Sequence, residues 1–233
     1  MFAFFNTHFA DPLQRAESFF WVAAQLALGV VGTALWLRLK SRLGTRAEGP
    51  LQRVADQPQR AEALSTGGRL IYSLAIPYLA LLFGSISARD TGLVGLDAFP
   101  YSSADWLHAL GWAGAWAALA LVIYAWGGVY PGATPGNALL DEVRWAFYRG
   151  AAIGWVGQLF PGVLLGLSLA AVEWAAIHGL RTALGESTPP WLGWAARAWL
   201  STFVFLFTRN VWLTLAVGTL VPLALSRWRL RYG

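Results

Sequence analysis

Seven ionisable side chains stand in otherwise apolar stretches of this sequence: Asp141, Glu142, Arg144, Arg149, Glu173, His178 and Arg197. A charged group at the centre of a membrane helix costs at least about 2.5–3.5 kcal/mol, so each of these residues needs a reason to be there. Glu142 and Arg149 are seven residues apart, which puts them two turns apart on one helix face. Glu173 and Arg197 fall at similar depth on separate apolar runs, a spacing that predicts an interhelical ion pair. Two chemistries fit this set. In the first, a polar pocket opens to the cytoplasm, a carboxylate (Glu142, or Glu173 in its place) activates water, and His178 donates or shuttles a proton. In the second, the Glu–Arg pairs only lock helices together, while His178 and Arg149 reach toward the headgroups.

The elements that must position these residues are membrane spans. Residues 19–39 read FFWVAAQLALGVVGTALWLRL, interrupted only by Gln25, Thr33 and Arg38. At about 1.5 Å per residue, roughly twenty such residues cross a hydrocarbon core of about 30 Å. Candidate spans are 19–37, 70–87, 106–126, 146–160, 162–180, 192–208 and 211–226. The stretches 146–180 and 192–226 each read as one long kinked helix or two short ones, with Pro161 in the middle of the first and Arg209 and Asn210 in the middle of the second. Charge decides between them. Arg38, Lys40, Arg42, Arg46, Arg53, Arg60 and Arg69 all lie between the first two spans, which makes that loop cytoplasmic and puts the N-terminus outside. With both stretches split, thirteen of the seventeen basic residues fall on the cytoplasmic side, including the tail Arg227, Arg229 and Arg231. Splitting only one gives six spans and sends the basic tail outside.

The expected fold is therefore an all-α, polytopic transmembrane bundle of seven spans, N-terminus outside and C-terminus cytoplasmic, forming one membrane domain over 1–233. Residues 40–69 are expected to be a polar cytoplasmic connector, with a short amphipathic helix lying on the membrane surface as the alternative, and 127–138, rich in Gly and Pro, a turn. Residues 1–20 lack the basic region and cleavage site of a signal peptide, so the first span is expected to stay as an anchor.

The chain is 57% hydrophobic and 12% charged, against about 25% charged in an ordinary soluble domain. It has no cysteine, which removes disulfides, thiolate catalysis and cysteine metal sites. The net charge of +5 is explained by the cytoplasmic loops, so nucleic acid is not an expected partner. His8, His108 and His178 are the only histidines, and the first two belong to the opposite side from the third, so no metal or haem site is expected. No phosphate loop, dinucleotide fingerprint or nucleophile elbow occurs, and no cofactor is expected. High Ala, Leu, Gly, Arg and Trp with a single lysine suit a GC-rich bacterial genome, and so a bacterial inner membrane.

Residues 140–222 resemble the CAAX-protease and bacteriocin-processing (CPBP) family of intramembrane proteases. Its first motif has two glutamates, three residues and an arginine, and is similar to Asp141-Glu142-Val-Arg-Trp-Ala-Phe-Tyr-Arg149-Gly150. Its second, an aromatic residue three residues before a histidine, is similar to Trp174-Ala-Ala-Ile-His178. Arg209-Asn210-Val-Trp212 is similar to the lead-in to the third. The chain departs from the pattern in that Arg144 and Trp145 occupy the expected glutamate positions, and Gly218 and Pro222 the expected histidine and asparagine positions.

The resemblance implies a protease scaffold whose machinery is at most half present. The first expectation is thus a non-proteolytic binding, assembly or accessory subunit, contacting lipid and other membrane subunits through its tryptophans, among them Trp112, Trp116, Trp155 and Trp199. A second is an active peptidase, with Glu142 as base, Arg149 orienting it and His178 as oxyanion donor. A third is a small-solute or proton pathway past Glu173, Arg197 and His178.

Overall fold

A computed structural model describes residues 12–46, 58–93, 102–127, 135–186 and 191–232, with the backbone alone at 40–46, 58–66, 127, 135, 226 and 228–232. Among these residues the chain forms eight helices and no strand. They are α1 (Pro12–Arg46), α2 (Pro58–Leu82), α3 (Ala88–Thr91), α4 (Ser103–Gly127), α5 (Pro135–Val156), α6 (Leu159–Ala183), α7 (Trp191–Thr208) and α8 (Val211–Tyr232). Three segments are long and apolar enough to cross a membrane: Pro12–Leu39, Ser103–Trp126 and Leu159–Ala183. Two shorter apolar segments lie at Gly67–Leu82 and Val211–Leu225.

Both long stretches break into two helices, though the first does not break at its proline. Gly157 adopts φ +70° and Gln158 is extended, so α5 ends there. Pro161 sits in the first turn of α6, where an N–H would have no intrahelical partner in any case. In the second stretch Arg209 takes φ +49° and turns the chain. The Asn210 side chain then caps α8, its Oδ1 accepting from the N–H of Trp212 at 2.9 Å and of Leu213 at 3.3 Å.

Three expected boundaries move. The polar connector at 40–69 is shorter than its composition suggests, because α1 continues to Arg46 and α2 begins at Pro58; residues 47–57, including Arg53, lie outside the described residues. Residues 40–46 contain no proline, and their Lys, Arg and Leu sustain a helix once it has started. The span expected to start at 146 starts at Pro135, with proline in the first helical position it tolerates best. Asp141 and Glu142 are therefore helical residues two turns inside α5. The span expected to reach residue 87 ends at Leu82, and Gly84 at φ +71° turns the chain toward α3.

The bundle is built around α5, which contacts α1, α2, α3, α6 and α8, while α4 packs on α7 and α8. Its closest neighbour is α6, and glycine is the reason. A Cβ on Gly162 would lie 2.6 Å from the Cα of Ile153, and one on Gly166 would lie 2.7 Å from the Cα of Arg149. The four-residue spacing Gly162–Gly166 lets two backbones meet, as small residues do at membrane helix interfaces. Short helix α3 wedges in at one end of the bundle: Gly150 meets Thr91, and the Gly92 carbonyl accepts from the N–H of Val211 at 2.8 Å. Trp21 and Glu17 of α1 both bond the Ser85 hydroxyl at the same end, and Trp155 donates to the Ser18 hydroxyl at 2.6 Å.

Tryptophans expected to serve partners also have companions within the chain. Trp112 stacks on Phe207, Trp116 on Phe203, Trp155 on Phe19 and Trp199 on Phe203. Of these, Trp112 and Trp199 stay substantially exposed.

Gly166→Leu is expected to push α5 and α6 apart and lower stability by about 1–3 kcal/mol. Gly179→Ala, in open space on the same helix, is expected to raise it by about 0.5–1 kcal/mol. Thermal unfolding in one detergent checks both, and equal effects at the two positions would contradict the packing role of Gly166.

Candidate functional site

The polar residues singled out in the sequence gather on α5 as two adjoining ion clusters. Asp141 is the acceptor at the centre of the first. Its Oδ1 takes hydrogen bonds from Arg144 and, at 3.1 Å, from Arg69 of α2; its Oδ2 takes one from Arg197 of α7 at 3.0 Å. Arg144 reaches in two further directions. Its Nη1 donates to the Tyr72 hydroxyl at 2.7 Å and stands 3.1 Å from Glu173 Oε1 of α6, an ionic contact without hydrogen-bond alignment. The guanidinium of Arg144 lies over the Tyr72 ring, and that of Arg197 over Trp145.

The second cluster is a triangle. Arg149 Nη2 donates to Glu142 Oε1 at 2.5 Å, Arg149 Nη1 donates to the Ser201 hydroxyl at 2.7 Å, and that hydroxyl donates to Glu142 Oε1 at 2.8 Å. Phe205 roofs it, with the Arg149 guanidinium 4.7 Å from its ring centroid. Arg197 and Ser201 are four residues apart on α7, so one helix face serves both clusters.

Glu142 and Arg149 therefore meet as their spacing predicts. The expected Glu173–Arg197 pair does not form. Each residue has another partner, Arg144 for Glu173 and Asp141 for Arg197, because Asp141 projects from α5 between α2 and α7 and collects the α7 arginine first. His178 stands apart from Glu142 and Arg149. Its ring stacks on Trp174, with centroids 4.4 Å apart, and Trp174 stacks in turn on Trp194. Two neutral residues of the site, Tyr72 and Ser201, carry no weight in the sequence reading, and two ionisable ones take roles it does not give them: Asp141 as centre and Arg69 as its partner from α2. Only the pair Arg197–Ser201, one turn apart in an apolar helix, was a visible signal for Ser201.

The charges nearly balance. Three carboxylates (Asp141, Glu142, Glu173) face four guanidiniums (Arg69, Arg144, Arg149, Arg197), and Arg69 is the most exposed of these at 37% of its side chain. Isolated burial would cost several kcal/mol per ion, a penalty offset only when pairing and hydrogen bonds are nearly complete. Trp145, Gly166, Ala198 and Thr202 pack beside Arg149 and leave a crevice too narrow for a water molecule. Among the described residues no three of His, Asp and Glu converge as a metal cage.

No protein-family model matches the chain, and no curated protein or solved structure matches it.

Asp141→Asn removes the charge shared by three arginines and is expected to cost about 3–5 kcal/mol. Ser201→Ala leaves the Glu142–Arg149 pair in place and is expected to cost about 1–3 kcal/mol. Equilibrium unfolding of the purified variants in detergent ranks them, and an Asp141→Asn protein with the wild-type midpoint would contradict the central role of Asp141.

Proposed function

We propose that this is a seven-span protein of a bacterial inner membrane, N-terminus outside and C-terminus cytoplasmic, acting as a non-enzymatic binding or assembly subunit of a membrane complex. It does so on a scaffold resembling the CPBP intramembrane proteases. One observation carries the reading. Every buried carboxylate of the α5 network is held by an arginine. A general base has to reach its proton directly or through one water. Glu142 Oε1 is engaged by Arg149 and Ser201, Glu173 faces Arg144, and the His178 ring is stacked on Trp174. The charges serve to fix helices against one another, and the chain keeps large apolar side chains such as Trp126, Leu107 and Phe160 on its outside for lipid and neighbouring subunits.

Extraction from the native membrane in mild detergent is expected to yield a stoichiometric complex much larger than one chain. A C-terminal tag is expected to be cut by protease only from the cytoplasmic side. A lone monomer that cleaves peptides, and loses cleavage in Glu142→Gln or Glu173→Gln, would overturn the reading in favour of a peptidase.

A further inference from the structure

Arg181 stands in the last turn of α6, partly exposed, and its charge is close enough to act on Arg69. Among the described residues its side chain has no hydrogen bond and no salt bridge, and its Nε is enclosed without a partner. Arg69 is only partly satisfied. Its Nη2 donates to Asp141 Oδ1, an oxygen that Arg144 also uses, while 37% of the side chain stays exposed. With Arg181 counted, four guanidiniums (Arg69, Arg144, Arg181 and Arg197) stand against two carboxylates (Asp141 and Glu173) in this cluster. Glu142 and Arg149 pair with each other and leave the excess unchanged. The carboxyl end of α6 offers Arg181 only a partial negative charge. Neighbouring guanidiniums repel, so holding these two together calls for an anion.

Position narrows the choice of anion. Both arginines stand where an apolar segment meets polar chain, Arg69 at the start of Gly67–Leu82 and Arg181 at the end of Leu159–Ala183. Leu70 and Ile71 beside Arg69, and Leu184 beyond Arg181, are exposed apolar side chains. The approach is open as well, since a Cβ on Gly67, Gly68 or Gly179 would meet nothing within 4 Å. An oxyanion that carries acyl chains suits these surroundings: its phosphate takes the guanidiniums and its chains lie on the leucines and isoleucine. Basic pockets between membrane helices hold anionic headgroups in this way, and the guanidinium fork matches phosphate oxygens. A free phosphate ion would gain nothing from Leu70, Ile71 and Leu184.

We propose that Arg69 and Arg181 form a binding site for the phosphate of one anionic phospholipid, which bridges α2 and α6 beside the Asp141 cluster. Arg181 donates to the phosphate through groups that have no partner in the chain, and Arg69 through the donors that Asp141 does not take. The site goes beyond the subunit reading and does not depend on it; it requires only that the chain lie in a bilayer.

Native mass spectrometry of the full-length protein tests this. The delipidated protein in detergent is offered dioleoyl phosphatidylglycerol, dioleoyl phosphatidylcholine or inorganic phosphate at equal concentration, with thermal unfolding followed in parallel. The expected result is one retained phosphatidylglycerol and a raised melting temperature, weaker retention of phosphatidylcholine, and no shift from inorganic phosphate. Arg181→Gln is expected to weaken phosphatidylglycerol retention about fivefold, with the melting temperature of the lipid-free protein unchanged. Arg38→Gln, at an exposed arginine of α1, is expected to leave retention unchanged. Phosphatidylglycerol held no better than phosphatidylcholine overturns the proposal. So does equal protection by inorganic phosphate, which would make the ligand a soluble anion. Equal losses in Arg38→Gln and Arg181→Gln would mean diffuse attraction, and a lower melting temperature of lipid-free Arg181→Gln would mean that Arg181 is satisfied within the chain; either result overturns it. A lone monomer that still retains the lipid defeats the subunit reading and supports this site.

Discussion

Charge burial within an apolar helical bundle governs this structure. Seven ionisable side chains from four helices (Arg69 of α2; Asp141, Glu142, Arg144 and Arg149 of α5; Glu173 of α6; Arg197 of α7) come together in an apolar bundle. None could remain there alone, since the penalty per ion exceeds what packing around it returns. The helices must therefore stand where guanidinium and carboxylate geometries close. Asp141 sets the tightest condition, because its two oxygens take arginines from three helices and so fix α2, α5 and α7 together.

The rest of the architecture meets that demand. Glycines 162 and 166 let α6 approach α5 closely, which brings Glu173 to Arg144. The breaks at Gly157 and Arg209 reverse the chain within a few residues, so that α6 and α8 run back beside the helices they follow. Asn210 supplies the cap that a helix starting inside the protein needs. The wedge at α3 ties the α7–α8 junction to α5 at the far end from the tail, leaving the ion network as the main tie toward the other end.

The helical, apolar character of the chain was plain in its sequence, because runs such as 19–39 and 106–126 admit no other reading. Both helix breaks were also foreshadowed. The first was tied to Pro161 when Gly157 makes it, since proline in a first turn starts a helix as readily as it stops one. Within 40–69 the helical residues belong to extensions of α1 and α2 rather than to a separate surface helix; composition hid them, because charge on a helix extending past the apolar run looks the same as charge on a loop. At the site, Glu142–Arg149 was legible because both residues lie on one helix, where spacing fixes contact. The expected Glu173–Arg197 pair fails because pairing between helices depends on how each is rotated, and nothing in residues 173 and 197 reveals that Asp141 takes Arg197 while Arg144 takes Glu173. Tyr72 and Ser201 escaped notice because neutral hydroxyls are cheap to bury and so do not advertise themselves.

The central claim is that the Asp141 cluster holds the helices in place through direct ionic coupling. A double-mutant cycle of Asp141→Ala and Arg197→Ala, measured by reversible unfolding in lipid bilayers, tests it most directly. The account predicts a coupling of about 1–3 kcal/mol, with the double variant less damaged than the sum of the singles. Strict additivity of the two substitutions would contradict it.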